Sequence, residues 1–397
     1  MEVSATLGCL ALASLAVGCS SGSTATSRDS GAGHHADAAS EGKADGASTA
    51  RDSGAREGDG SVKAVDGGVK HADGGAGVGD GGASDGGETD LCQTTPDGSV
   101  RLPADDSQHD DEMEWWYWTG HLKTPDAGSY GFEEVFFRTS VAGVVSQLAN
   151  VALTDIGAQK FRYSSGLAAG APTTVTNGFS LAIARDTAVG GDGHDTLHGT
   201  PQDSTFDLTL DSVKAPVLEN GTGYITYTSG GWTYYYSRML LDVTGTLSVG
   251  DGGTVPVTGE AWFDHQWGEL LQEVTQGWEW FSIQLDDGRD MMLNFALVSG
   301  SPGPGYGTLS DARCHDTVIG ASDLTMTSTG TWKSPHTGCT YPSGWRVTYR
   351  GLNLVITPDL DDQELYASGG PTYWEGSSTV TGDATGKSYV ELNGFCP

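Results

Sequence analysis

EWWYWTGHLKTPDAGSYGFEEVFFR, residues 114–138 of this chain, carries the clearest signal for its secondary structure. Its two ends, Glu114–His121 and Tyr130–Arg138, are rich in the aromatic and β-branched residues that favour strands. Between them lies Pro125–Gly128, which contains the residue types that favour a tight turn. The stretch therefore predicts a β-hairpin.

Short runs of similar composition, rich in aromatic and β-branched residues, fill the chain from Cys92 onward. No run of ten residues predicts a helix convincingly. The many strands with Gly-rich turns predict an all-β fold of the antiparallel β-barrel or sandwich type. About 300 residues are long for one small barrel, and Gly268–Gly277 separates two strand-rich halves. We therefore expect two packed domains, at 92–270 and 271–397, with a cavity in one of them or at their junction.

The N-terminal part predicts an exported protein. Residues Leu7–Gly18 are apolar or small and too few to span a bilayer, and Cys19 follows them as in a bacterial lipoprotein. Residues 1–19 are thus a predicted signal peptide, with Cys19 as lipid anchor to a membrane of the cell envelope. Residues 20–91 contain no aromatic residue before the globular region and predict a disordered linker. A plain signal peptide and an intracellular protein are the alternatives.

Four cysteines remain after the leader, and an even number in an exported domain suggests disulfides. The pair Cys92–Cys396 would join the ends of the globular region, and Cys314–Cys339 would close a loop. Four free thiols are the alternative. No C-x-x-C spacing occurs, which argues against a zinc ribbon.

The charge of the chain excludes one class of partner. There are 20 Lys and Arg residues against 52 Asp and Glu, giving a net charge of −32. Nucleic acids are bound by clustered basic residues, so no nucleic-acid partner is expected. The sequence indicates no particular protein partner either. All 11 tryptophans follow residue 110, which predicts a well-packed core in that part of the chain.

Tryptophan clusters with polar residues in four motifs: Glu114–His121, Gly259–Gly268, Gly277–Gly288 and Tyr373–Gly376. In this order they resemble the carotenoid 1,2-hydratase (hydroxyneurosporene synthase) family with its AttH-like members, many labelled predicted secreted hydrolases. The resemblance runs over residues 103–396. It implies two packed lipocalin-like β-domains around a cavity for an extended apolar molecule, such as an isoprenoid or a lipid.

The resemblance also implies acid chemistry. Hydrating an alkene needs a protonated carboxylic acid, a group that places water, and aromatic faces that stabilise a carbocation. By their place in the motifs, His265 and Trp267 match catalytic positions of the family directly. Asp286 is the first candidate for the acid and Asp264 the second. The position of a family tyrosine falls on Gln284, which departs from the pattern and weighs against carotenoid itself as the substrate.

Further residues of the motifs are candidates for lining the cavity: Trp116, Trp118, Trp262, Trp278, Trp280, Gln284, Tyr373 and Trp374. Each has a structural alternative, since tryptophans usually fill the core, Asp286 can cap a turn, and Asp264 and His265 can satisfy buried backbone groups. His194 and His198 have the spacing of metal ligands but lie in a Gly- and Asp-rich stretch. We expect no metal and no cofactor.

Three functions follow as hypotheses. The first is a carrier of an apolar small molecule at the cell envelope, whose cavity would lack a buried carboxylic acid. The second is a hydratase or cyclase, in which an acid and His265 would face one apolar cavity. The third is a structural or adhesion module with a filled core. The sequence contains no recognisable arrangement of Ser, His and Asp, so no residues support the hydrolase label of the family.

Overall fold

The computed structural model describes residues 91–227, 230–270, 276–366 and 371–396. The predicted signal peptide, Cys19 and all of the predicted linker except its last residue lie outside the described residues. Within the described ranges, no helix has both the length and the apolar character needed to cross a membrane. The helices described there are single 3-10 turns at Leu91–Gln93, Ala104–Asp106 and Glu219–Gly221.

The first half of the described chain forms one antiparallel sheet. Its strands are β1 Met113–Lys123, β2 Ser129–Val141, β3 Val144–Asp155, β4 Lys160–Ala169, β5 Thr173–Val175, β6 Gly178–Ile183, β7 Asp186–Gly191, β8 His194–Gly199, β9 Ser204–Ser212, β10 Val217–Leu218, β11 Tyr224–Thr226, β12 Trp232–Val249 and β13 Val255–Glu269. Their order across the sheet is β4-β3-β2-β1-β13-β12-β9-β8-β7-β6-β5, with β10 and β11 paired to β12. We call this the first sheet.

The second half forms another antiparallel sheet. Its strands are β14 Trp278–Leu285, β15 Asp290–Val298, β16 Ser301–Pro302, β17 Tyr306–Ser310, β18 Asp316–Ile319, β19 Leu324–Lys333, β20 Thr340–Tyr349, β21 Leu352–Pro358, β22 Glu364–Tyr366, β23 Thr372–Gly382 and β24 Gly386–Asn393. The order is β18-β17-β15-β14-β24-β23-β21-β20-β19, with β16 on β15 and β22 on β23. We call this the second sheet.

The predicted hairpin of residues 114–138 is present. Strands β1 and β2 pair antiparallel, with Trp116 opposite Phe136 and Lys123 opposite Ser129. The turn residue Ala127 has a φ of 68°, and the Thr124 hydroxyl accepts a hydrogen bond from the Gly128 N–H at 2.9 Å, which holds the turn closed. The predicted all-β fold class with two curled antiparallel sheets is confirmed.

The side chains of each sheet alternate between two environments because successive residues of a strand point to opposite faces. One face of each sheet encloses its own apolar core, with Trp118 and Phe263 in the first and Phe281 and Trp345 in the second. The other faces meet in a third cluster that draws residues from both sheets, including Trp262 and Trp280. The two sheets are therefore packed through a shared layer of aromatic side chains.

The disulfide pairing differs from the predicted one. Cys92 is bonded to Cys314, and Cys339 is bonded to Cys396. The predicted pairs Cys92–Cys396 and Cys314–Cys339 are wrong, because Cys396 follows the last strand and lies beside the start of β20, where Cys339 is. Sequence spacing carries no information on which strand ends are neighbours in a sheet of non-sequential order.

Candidate functional site

A cavity of about 80 Å³ lies in the shared layer between the two sheets. Its volume exceeds what a single water needs, which is roughly 10–15 Å³. Nine aromatic side chains line it: Trp115, Tyr117, Phe137, Tyr227, Tyr235, Trp278, Trp280, Tyr306 and Tyr373. Four carboxyl groups also line it: Glu133, Asp264, Glu375 and Glu391. We call it the intersheet cavity.

Glu133 and Glu375 are both fully buried in the wall, one from each sheet. Each receives one tyrosine hydroxyl from the opposite sheet: Tyr373 donates to Glu133 Oε1 at 2.8 Å and Tyr117 to Glu375 Oε1 at 2.7 Å. Among the described residues, the buried Oε2 atom of each glutamate has no hydrogen-bond partner. Each acid therefore has one oxygen held by a tyrosine and one whose hydrogen-bonding capacity the described residues leave unused.

Burial makes both of these glutamates weak acids. Loss of solvation raises the pKa of Glu133 to about 8, even though the Tyr373 hydrogen bond acts in the other direction. Burial, together with the charges of Glu133 and Glu391, holds the pKa of Glu375 well above its usual range. A raised pKa favours the protonated form at neutral pH, and a protonated carboxyl group in a cavity wall is a potential proton donor to a ligand.

Asp264 occupies a different environment in the same wall. Its oxygens accept hydrogen bonds from Tyr235 at 2.5 Å, Ser237 at 2.6 Å and the Trp262 indole at 2.7 Å. Burial raises the pKa of Asp264 to about 7, and the three donors limit the rise. Asp264 and Glu133 therefore have different hydrogen-bond surroundings in one wall, and carboxyl groups in different environments can take separate acid and base roles.

The Ser237 hydroxyl gives a geometric argument for a proton in this cluster. Its oxygen lies 2.6 Å from Asp264 Oδ1 and 2.9 Å from Glu219 Oε1. A hydroxyl carries one hydrogen, so only one of the two contacts can be donated by Ser237. The other must be donated by a protonated carboxyl group. The hydrogen-bond pattern and the raised pKa of Glu219, about 8 through burial, therefore agree.

The aromatic wall is held rigidly around these acids. The Trp280 indole N–H donates to the Tyr235 hydroxyl at 3.1 Å, and the Tyr117 and Trp280 rings meet edge to face at 5.3 Å. Burial raises the pKa of Glu391 to about 7, and a hydrogen bond from Trp278 opposes the rise. Indole and phenol faces stabilise positive charge, so the wall suits a cationic intermediate.

His265 lies on the other face of β13 from Asp264, as alternation along a strand requires. It is fully buried in the interior of the first sheet, stacked on Trp116 at 4.8 Å, with the Trp267 ring at 4.7 Å. The expectation that an acid and His265 face one cavity is wrong for Asp264. Burial lowers the pKa of His265, and its Nε2 atom lies 2.9 Å from Glu114 Oε1.

The surroundings of His265 form a compact polar group inside the first sheet. His109 Nδ1 lies 2.8 Å from the same Glu114 oxygen, and the His109 ring stacks on Trp267 at 3.9 Å. Burial opposes a charge on His109, but the hydrogen bonds that its ring donates to the Asp105 and Glu114 carboxylates outweigh burial and raise its pKa to about 9. His109, Glu114 and His265 are residue types that bind metals, and they converge here. The hydrogen bonds within the group account for this convergence.

Asp286 does not supply a buried acid. It is an exposed residue of the β14–β15 turn, where its carboxylate accepts a hydrogen bond from the Thr385 hydroxyl and its N–H donates to the Thr385 carbonyl. Gln284 is buried but engaged with backbone, since its amide donates to the Met239 and Ala261 carbonyls. The predicted role of Asp286 as a buried acid is therefore wrong. Asp286 is a turn residue, as the structural alternative proposed.

The remaining candidates divide into three groups. Trp278, Trp280 and Tyr373 line the intersheet cavity. Trp262 packs behind the wall and orients Asp264. The others belong to the sheet interiors and not to the cavity: Trp116, Trp118, Trp267 and Trp374. Sequence reasoning missed Glu133 and Glu375, although a glutamate within a run of large apolar residues, as in GFEEVFF, signals a buried acid.

Two curled antiparallel sheets with an aromatic-lined cavity between them are typical of a lipocalin-like protein. The chain belongs to the AttH-like family, whose sequence profile matches residues 93–395. An AttH-type protein of Nitrosomonas europaea has a similar structure, with 30% identity, a TM-score of 0.70, and coverage of 77% of this chain and 99% of that one. The predicted family resemblance is confirmed in its AttH-like branch.

A second solved structure, kievitone hydratase from Nectria haematococca, has 18% identity and a TM-score of 0.60. The alignment covers 76% of this chain and 96% of that one. At this level of identity the likeness concerns the fold. No curated protein matches the sequence.

Proposed function

We propose that the intersheet cavity binds a small apolar molecule with a carbon–carbon double bond and adds water to it by acid catalysis. The observation that carries the proposal is the pair of buried glutamates, Glu133 and Glu375, whose partnerless oxygens belong to an aromatic wall. A carrier needs no such acids, because burying a carboxyl group without a partner costs free energy. One protein of this fold, kievitone hydratase, is named for hydration, which is why we choose hydration among acid-catalysed reactions.

The proposed reaction uses the two kinds of carboxyl group in turn. Glu375 or Glu133 donates the proton on Oε2 to one alkene carbon, and the neighbouring carbon becomes a carbocation facing the aromatic wall. Water bonds to that carbon and loses one proton to a carboxylate of the cavity, for which Asp264 and Glu391, each with a pKa of about 7, are the candidates. Proton transfer between the carboxyl groups restores the starting state, so the net change is the addition of one water.

The proposed activity is tested by incubating the full chain in deuterium oxide with geraniol or farnesol, which are apolar and carry trisubstituted alkenes. Mass spectrometry should detect a hydrated product with deuterium on carbon. Boiled protein is the control, because uncatalysed hydration is slow at neutral pH. Absence of both hydrated product and deuterium exchange across a panel of isoprenoid and aromatic alkenes would argue for a carrier, provided that these molecules bind.

We also propose that the protein is exported and anchored through Cys19. The apolar stretch Leu7–Gly18 and two disulfides, which form in oxidising compartments, support this. Expressed in a bacterial host, the full chain should incorporate radiolabelled palmitate and fractionate with membranes, and Cys19→Ser should abolish both. Cys9→Ser is the matched control and should leave labelling unchanged. Labelling that persists in Cys19→Ser would contradict the proposal.

A further inference from the structure

A second cavity, of about 260 Å³, lies inside the curve of the second sheet. Its wall includes Met326, Tyr341 and Phe395, and its opening is at exposed residues of β19 and β20. The Tyr341 hydroxyl donates to Glu364 at 2.9 Å, so the polar end of this tyrosine is already satisfied and its ring remains for the wall. Apolar side chains around an opening are typical of small-molecule sites.

The base of this cavity contains one acid that the protein leaves unsatisfied. Glu279 lines the cavity and only 1% of its surface is exposed. Its Oε2 atom is buried and has no hydrogen-bond partner within the described part of the chain. The Trp345 indole lies close enough to oppose the rise of the Glu279 pKa, but its N–H makes no hydrogen bond of ordinary geometry. A buried polar atom without a partner is costly, which suggests that another molecule supplies one.

The second cavity is separate from the intersheet cavity, although β14 contributes to both. Trp278 and Trp280 line the intersheet cavity, whereas Glu279 between them points to the opposite face of the sheet. Phe281, the next residue on that face, belongs to the core of the second sheet. Occupants of the two cavities are therefore separated by the thickness of one sheet, and substitutions can address one cavity at a time.

We propose that the second cavity binds a small apolar molecule with a single accepting oxygen, such as an aromatic or terpenoid ketone, whose oxygen meets the Glu279 carboxyl group. The volume supports this size, since an apolar cavity of about 150 Å³ already holds benzene. Burial raises the pKa of Glu279 to about 7, so a carboxyl proton is available for donation to a carbonyl. Met326 at the opening is unbranched and adapts to ligands of different shape.

The probe for the test is prodan, a fluorescent naphthalene with one ketone. It is titrated into the Ala296→Trp variant. Ala296 lines the intersheet cavity, so the added indole fills that cavity and leaves the second one open. Saturable binding with a blue shift of emission is expected. Glu279→Leu keeps the side-chain size and should weaken binding of prodan by about 3- to 10-fold, the value of one neutral hydrogen bond. The same variant should bind ethylnaphthalene, which lacks the ketone, unchanged.

Two further variants show where the probe binds. Met326→Trp fills the second cavity and should abolish prodan binding. Thr327→Trp places the same indole on the other face of β19, at an exposed position, and should leave binding unchanged. Unchanged prodan affinity in both Glu279→Leu and Met326→Trp overturns the proposal. The wild-type chain should bind one prodan molecule more than Met326→Trp does. This comparison does not need the Ala296→Trp variant, so it remains valid if that variant folds poorly. It also does not depend on any activity of the intersheet cavity.

Discussion

Between pH 5 and pH 7 the free energy of unfolding of this protein is expected to fall steeply as the pH rises. Burial raises the pKa of Glu133 and of Glu219 to about 8, and that of Asp264 to about 7. In this window the folded protein keeps these protons, while the unfolded chain, with pKa values near 4, has lost them. The folded state binds more protons, so each group contributes stability that is complete below about pH 4 and is lost as pH rises through its folded pKa.

The expected magnitude is large because the three groups act together. Each lowers the free energy of unfolding by about 1.4 kcal/mol per pH unit inside the window. Urea unfolding followed by tryptophan fluorescence at pH 5, 6 and 7 measures the slope. The triple variant Glu133→Gln, Glu219→Gln, Asp264→Asn should make the slope shallower, and the other buried acids with raised pKa values, Glu375, Glu391 and Glu279, should supply the slope that remains. Glu269→Gln, a change at an exposed glutamate, should leave the slope unchanged. A triple variant with the wild-type slope would disprove the assignment of these protons.

Replacing Glu375 with glutamine is expected to reduce the proposed hydration rate by about 10²- to 10⁴-fold, the usual contribution of a positioned general acid. Glutamine has nearly the same shape and can still accept the Tyr117 hydrogen bond, but it carries no acidic proton. Binding of the alkene should therefore persist while kcat falls. The rate of product formation from geraniol or farnesol, whichever is turned over, measures the loss.

Glu279→Gln is the matched control, since it replaces another buried glutamate but on the face of β14 that points away from the intersheet cavity. Its rate should stay within about twofold of wild type. Glu133→Gln should resemble Glu375→Gln if the two acids share one proton pathway, and should be milder if Glu375 alone protonates the alkene. Equal rates for Glu375→Gln and Glu279→Gln would show that Glu375 does not protonate the alkene.

Most of the fold could be predicted from the sequence, because the sequence patterns that indicate strands and turns are local. The hairpin of residues 114–138 depends on residues that are adjacent in the chain, and it forms. Disulfide pairing depends on which strand ends meet. Strand β14 lies between β15 and β24, an arrangement set by packing over the whole second sheet and not by any short motif.

The candidate site was harder to predict from the sequence, for a geometric reason. The motif Trp262–Trp267 places Asp264 and His265 next to each other in sequence, yet in a strand neighbours face opposite sides. Predicting which acid lines the cavity requires knowing which face meets the other sheet. Glu133 and Glu375 are hidden further, because they come from β2 and β23 and become neighbours of one cavity only when the two sheets pack.

The alternation along β14 has a consequence for how relatives of this protein can diverge. Substitutions at Trp278 and Trp280 change the wall of the intersheet cavity, whereas substitutions at Glu279 and Phe281 act on the other side of the strand. Selection can therefore alter the shape of one cavity while conserving the other. A single-residue insertion in this strand would exchange the two sets of side chains and destroy both sites, so descendants should vary by replacement here and not by changes of length.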